Sequence, residues 1–382
     1  MIKRLFIVWF LVLTTAHVVA QNYGNEWINY TQKHYRISIP KTGLYRIDYT
    51  TLINAGIPLG SINPKNFQLF CKGEEQYIHV NGESDNVFNP ADYIEFYAKK
   101  NDASFDSLVY TSSRIPNPYY ALFNDTNYVF LTWNNSINNK RVLFETDVNF
   151  TSYTPASYFY SEKIEAYRNN YSLGEQFVGD AISDPRYVNG EGFGKFINKG
   201  QSIQTNLGNL NVYSSSLPAF VKVSYSGTTI NYNTGISYDH QLKVDYLNNS
   251  SNFVNLHDTT FFGIKQILIE KQITASQLQN NSSIKVTSEN NPFIITNNQT
   301  NVHYIYLKYP QVPDFLNSSE QHFYVDNSSS GIKTFLDIQN VNIGSSQVIC
   351  YDLTNHKYIT TVASGNNVKF LVPNSISQKQ CF

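Results

Sequence analysis

Apolar side chains recur at every second position along nearly the whole chain, and that spacing restricts it to strands with one face buried. "HYRISI" sets Tyr35, Ile37 and Ile39 on one face against Arg36 and Ser38, and "LYRIDY" does the same with Tyr45, Ile47 and Tyr49. "ADYIEFYA", "NYVFLTW", "FVKVSYSG", "HQLKVDYL", "KQILIEK", "SIKVTS" and "KTFLDIQNV" continue the pattern, with His240, Leu242, Val244 and Tyr246 as one inward face. "NFQLFCKGEEQYIHV" reads as a hairpin turning at Lys72-Gly73-Glu74, and "YTTLINAGI" (49–57) as a short helical turn. No fixed-period repeat, heptad or long amphipathic helix interrupts the strands. The expectation is therefore an all-β chain of two to three β-sandwich-like domains with short helical turns. Its expected divisions are 1–20, an N-terminal β domain over 21–150, a second over 151–300, a C-terminal sandwich portion over 301–373, and a truncated linker over 374–382. Within this plan the alternation lapses over roughly 134–175, which reads as a boundary or long crossing connection.

Residues 1–20 have the layout of a secretory signal peptide. Lys3 and Arg4 precede the apolar run Leu5–Leu13, and Val18 and Ala20 supply small residues before Gln21. Export to the periplasm, outer membrane surface or medium is expected, with no membrane span after cleavage. A formal net charge of −1, with only 15% charged residues, argues against a nucleic-acid or anionic-membrane partner. The 29 Tyr and 25 Phe suit strands with aromatic cores. Three cysteines (Cys71, Cys350, Cys381) preclude an even disulfide framework, so stability rests on ordinary burial.

A cysteine nucleophile needs a histidine base and a depressed thiol pKa. Cys71 and Cys350 alternate with apolar neighbours and read as core thiols; His356, six residues after Cys350, is the one tempting partner. Cys381 lies in a polar tail without a local partner and reads as exposed by the chain end. Gly190, Gly192 and Gly194 lack the spacing of a phosphate loop and read as a turn between aromatic strands. "ESDNVFNPADYIEF" gathers oxygen ligands, and Asp85, Asn89 and Asp92 are the candidates for calcium. The competing reading, an ordinary turn at Asn89–Asp92 before a strand, is preferred, so no metal, cofactor or catalytic residue is expected. Trp27 and Trp133 are candidates for stacking on sugars, weighed against core aromatics. The triplets Asn29-Tyr30-Thr31 and Asn149-Phe150-Thr151 match a glycan acceptor by composition alone.

Several stretches together resemble a known family: "EWINYTQKHYRISIPKTGLYRIDYTTLINAGIP", "INPKNFQLFCKGEEQYIHV", "DNVFNPADYIEFYAKKND", "NPYYALFNDTNYVFLTWN", "YIYLKYPQVPDFLNSSEQHFYV" and "CYDLTNHKYI". They are similar to the region preceding the peptidase domain in PorU-like sortases of the type IX secretion system, relatives of the gingipain cysteine peptidases of Bacteroidetes. The resemblance implies a non-catalytic leader, its peptidase domain absent. Its implied partners are a gingipain-type peptidase domain and secretion components or cargo. In that family the nucleophile follows a serine, whereas Phe70, Ile349 and Gln380 precede the cysteines here, so no dyad is carried over. The competing reading is a stand-alone secreted adhesin or glycan-binding sandwich.

Overall fold

The computed structural model describes residues 24–382 except 109, 111–114, 176–187, 233, 234, 236, 293, 295–297 and 346, so the signal-like segment 1–20 lies outside the described residues. Two compact units emerge. The smaller takes in the chain up to residue 38 with 46–96 and 128–140, and the larger 39–45, 97–127 and 141–382.

The smaller unit is built on β1 (Tyr35–Ile39), β2 (Gly43–Asp48), β3 (Phe67–Cys71), β4 (Glu74–Glu75), β5 (His79–Val80), β6 (Tyr93–Ala98) and β7 (Asn127–Trp133), some of whose end residues count with the larger unit. They form two sheets, ordered β1-β7-β3-β4 and β2-β6-β5. The expected helical turn is α1 (Tyr49–Asn54), started by the Asp48 carboxylate accepting the Thr51 N–H at 2.7 Å. The β3–β4 hairpin turns on Lys72 (φ 53°) and Gly73 (φ 83°), the paired left-handed residues that match strand twist. Arg46 reaches the buried Glu95 at 2.8 Å, which supplies that carboxylate with its counter-charge.

The larger unit continues with β8 (Leu143–Glu145), β9 (Phe159–Ala166), β10 (Asn170–Leu173), β11 (Glu191–Asn198), β12 (Ser202–Asn206), β13 (Pro218–Gly227), β14 (His240–Leu247), β15 (Phe253–Phe261) and β16 (Gln266–Thr274). It ends with β17 (Ser283–Ser288), β18 (Gln299–Gln311), β19 (Phe323–Val325), β20 (Lys333–Ile338), β21 (Ile349–Asp352), β22 (Lys357–Thr360), β23 (Val362–Ser364), β24 (Asn367–Pro373) and β25 (Lys379–Cys381). One large sheet runs β10-β11-β18-β9-β19-β25-β21-β22-β8, with β13 and β16 added beside β18. Two smaller sheets cover it. β12-β17-β14-β15 shares a core with β13, β16 and β18 that includes Val223, Tyr225, Val244, Val286, Ile305 and Leu307. β20-β24-β23 shares another with β9, β19, β21, β22 and β25 through Phe159, Phe323, Leu336, Cys350, Phe370 and Cys381. The all-β, sandwich-like expectation holds, and His240, Leu242, Val244 and Tyr246 are all buried.

Four readings are corrected. The expected division at 300 falls inside β18, whose residues 299–311 bridge both halves. The lapse over 134–175 contains β9, whose face is buried only along its first residues, so its alternation is weak in sequence. Residues 374–382 are not a strand-free linker: Lys379–Cys381 form β25, between β19 and β21, and Cys381 is fully buried because its side chain faces the core. Gly192 and Gly194 lie in β11 rather than in a turn, paired with Ser172 and Asn170 of β10, and the glycine at 194 is a packing requirement, since a Cβ there would stand 2.1 Å from the Asn301 amide oxygen.

Candidate functional site

β18 changes neighbours along one edge. Residues 299–302 pair with β11 and residues 304–311 with β9, so His303 is left where one partner hands over to the next. On the opposite edge Ser224 pairs with Tyr304 and Tyr225 with Val302, so His303 is bulged out of that ladder as well. The bulge resets the alternation. Val302, Ile305, Leu307 and Tyr309 enter the core, while Tyr304, Tyr306 and Lys308 take the other face.

A segment over 115–121, "IPNPYYA", crosses that face and is tied to it by polar contacts. The Asn117 side chain donates to the carbonyls of Tyr167 (3.0 Å) and His303 (3.1 Å), and Ser224 Oγ donates to the Pro116 carbonyl at 2.9 Å. Tyr119 meets Tyr304 edge to face at 5.1 Å. Grooves lie to either side. One, of about 640 Å³, has Tyr119, Tyr120, Lys99, Lys100, Ile164 and Glu165 among its walls; the other, about 510 Å³, has Ile115, Ser224, Leu268 and Tyr304. Lys100 stands 4.9 Å from the Tyr120 ring centre, and Arg168 stands over Phe193 at 4.8 Å.

Beyond the first groove the same face is a hydrogen-bonded tyrosine cluster. Glu162 accepts from Tyr306 (3.1 Å) and Tyr324 (3.0 Å), and Lys308 stands 3.8 Å from the Tyr324 ring centre while donating to Gln378 at 2.6 Å. Burial raises the hydroxyls of Tyr97, Tyr119, Tyr306 and Tyr324, with the Glu162 charge adding to it, so these phenols stay protonated donors. Burial lowers Lys308. His322, 3.4 Å from the Tyr97 hydroxyl, is pushed down to about 4 by burial and then by the Lys99 charge.

His303 is the most enclosed titratable group here. Its Nδ1 donates to the Phe193 carbonyl at 2.8 Å and its Nε2 accepts from Ser226 Oγ at 3.0 Å, with burial lowering it to about 4. A hydroxyl facing an imidazole is the arrangement of a serine hydrolase. Ser226 and His303 are both 0% exposed, however, so no substrate reaches them and the pair serves as a buried fastening. Asp239 and His240 make a second one: Nδ1 lies 2.6 Å from the carboxylate and Nε2 3.1 Å from the Gln299 carbonyl, stacked on Phe261. Sequence alternation identified His240 as inward-facing; the His303 bulge has no local signature.

Asp85, Asn89 and Asp92 do come together, as a turn closed on itself. Asp92 accepts from the Asn89 N–H (2.7 Å), Asp85 from the Val87 N–H (3.0 Å) and from the Asn89 side chain (3.1 Å). Among the described residues no cluster of His, Cys, Asp and Glu is arranged for a metal. Cys350 pairs with Ile359 across the β21–β22 hairpin and its thiol meets Cys381 in the core, whereas His356 occupies the turn at φ 53°. The two residues are therefore not brought together as a dyad. Trp27 stacks on Phe70 at 5.0 Å and Trp133 on Tyr35 at 6.0 Å, so both indoles are engaged by neighbouring rings. Asn29 and Asn149 each accept from the Thr two residues on, in exposed turns.

No protein-family model matches the sequence, and no curated protein does. Among solved structures, dimeric latent PorU from Porphyromonas gingivalis is similar with a TM-score of 0.52 and 11% identity, covering 91% of this chain and 32% of that one. The chain thus spans about a third of the PorU structure, and at this identity the likeness shows the fold alone. A CBM36-1 domain of a multidomain xylanase from the hindgut metagenome of Trinervitermes trinervoides (TM-score 0.21, 13% identity, 38% of this chain and 96% of that one) also matches. So does a family 35 carbohydrate binding module from Clostridium thermocellum (TM-score 0.19, 17% identity, 39% and 88%).

Proposed function

We propose that the chain is the non-catalytic, β-rich leader of an exported gingipain-type sortase of the type IX secretion system. Its role is that of a structural and interaction module beside a peptidase domain that processes cargo at the outer membrane. The observation that carries this reading is the PorU-like fold over 91% of the chain. Two of the three thiols also lie in the core rather than in a cleft: Cys350 is 3% exposed and Cys381 0%, and burial pushes the Cys381 thiol up, away from the thiolate that a nucleophile requires. Among the described residues no helix is long and apolar enough to cross a membrane. The purified chain, incubated with a fluorogenic peptide library under reducing conditions, is expected to release no fluorophore. Hydrolysis that disappears on Cys350→Ala or Cys381→Ala, with the fold intact, would overturn the proposal.

The groove beside Tyr119 and Tyr120 favours a second reading, a glycan-binding sandwich, because two phenol rings at a groove of about 640 Å³ offer faces for sugar stacking. Glycan-array binding lost on Tyr120→Ala would select it over the leader.

A further inference from the structure

Lys379 is 0% exposed, an uncommon place for a lysine. Its Nζ has three donors and one hydrogen-bond acceptor, Asn327 Oδ1 at 2.6 Å, with no carboxylate oxygen within ion-pair distance among the described residues. The same Asn327 oxygen accepts the Ser375 N–H at 3.1 Å, and Asn327 Nδ2 donates to the Ser375 carbonyl at 2.6 Å. The side-chain amide is thus held by both ends and its carbonyl is polarised from two directions. Lys379 sits on β25 opposite Val325 of β19, and Asn327 lies two residues past the end of β19 at an exposed position, held there by its two bonds to Ser375.

From these contacts we infer that Lys379 and Asn327 are a covalent cross-linking site, joined by an intramolecular isopeptide bond. The carbonyl carbon lies one C=O bond, about 1.2 Å, beyond Oδ1, which places Nζ within roughly 3–3.5 Å of Cγ. In the step, the Lys379 amine in its neutral form, which burial favours, uses its Nζ lone pair to form the Nζ–Cγ bond. The Cγ–Nδ2 bond then breaks, and Nδ2 leaves as ammonia carrying one proton from Nζ. Neither oxidant nor cofactor enters the balance. Burial lowers Lys379, which favours the neutral amine, and outweighs the opposing influence of Cys381, Asp352 and Asp326. Asp326 adjoins Asn327 in the chain and is held by Tyr158 (3.0 Å) and Gln378 (2.7 Å). The bond would fasten the last strand to β19 and stop its withdrawal from the sheet.

Mass spectrometry of the purified, folded chain tests this. The bond lowers the mass by one ammonia, about 17 Da. An N-terminal glutamine at position 21 loses the same mass by cyclising, so the loss must be placed by proteolytic mapping. The expected result is a branched peptide joining the segments around Asn327 and Lys379, with trypsin failing to cut after Lys379. Asn327→Ala and Lys379→Met should each restore the unbranched peptides. Separate Asn327 and Lys379 peptides from a wild-type chain whose circular dichroism shows a cooperative melt would overturn the proposal. The result is independent of peptidase association, so either can fail without the other.

Discussion

Lowering the pH from 7 to 5 should destabilise the larger unit through His303, and the cost can be worked from its surroundings. Unfolded, the imidazole titrates near 6.5; folded, burial holds it at about 4. As pH falls below about 6.5 the unfolded chain takes up a proton that the folded chain refuses, so stability is lost progressively until about pH 4. Well above pH 6.5 neither state is protonated and nothing changes. With those two values the loss between pH 7 and pH 5 is about 2 kcal/mol, rising to about 3 kcal/mol by pH 4. The described tryptophans, Trp27 and Trp133, both belong to the smaller unit, so indole fluorescence follows that unit. Tyrosine circular dichroism near 275 nm, weighted to the larger unit, should be read during urea unfolding at the two pH values. His303→Gln keeps a donor for the Phe193 carbonyl and an acceptor for Ser226 but cannot titrate, so it should be less stable at pH 7 yet lose about 2 kcal/mol less on acidification. His322, partly exposed, adds a smaller loss of the same sign that the variant retains. An unchanged pH difference in His303→Gln would refute the neutral, buried imidazole.

Other expectations follow from individual contacts. Gly194→Ala sets a methyl 2.1 Å from Asn301 Oδ1 and 2.7 Å from the Val302 carbonyl, and should cost roughly 2–4 kcal/mol in the tyrosine transition while leaving the indole transition in place. Lys333→Met removes the cation that bonds Glu145 at 2.9 Å and Asp147 at 2.8 Å, and should cost about 1–3 kcal/mol by urea melts, a loss that added salt reduces. Iodoacetamide should label Cys71 in the native chain while Cys350 and Cys381 react only after unfolding; mapped labelling of Cys381 at native conditions would contradict its burial.

Much of the fold was legible because a strand with one buried face writes its burial into every second residue. His240, Leu242, Val244 and Tyr246 show this directly. β18 shows where it stops: the bulge at His303 shifts the inward face by one residue, so Asn301, Val302, His303 and Tyr304 are all buried in succession and polarity no longer alternates with burial there. β9 is hidden for the opposite reason, since Glu162, Lys163 and Glu165 give it the composition of a connection. The β25 segment carries a lysine that points inward, and only the Asn327 amide across the sheet makes that burial sensible. The tyrosine cluster around Glu162 joins β9 to β18 and β19, which lie more than a hundred residues further along the chain, and no local spacing announces it. The turn at Asn89–Asp92 was readable, because its Asx contact spans only three residues, whereas the Asp85 contacts that extend it were not.

The leader proposal stands or falls on association. Equimolar chain and a gingipain-type peptidase domain, run on size exclusion with light scattering at about 20 µM, near where micromolar affinity populates a complex, should co-elute with the summed mass. Two separate peaks at the individual masses, from two folded components, would contradict it.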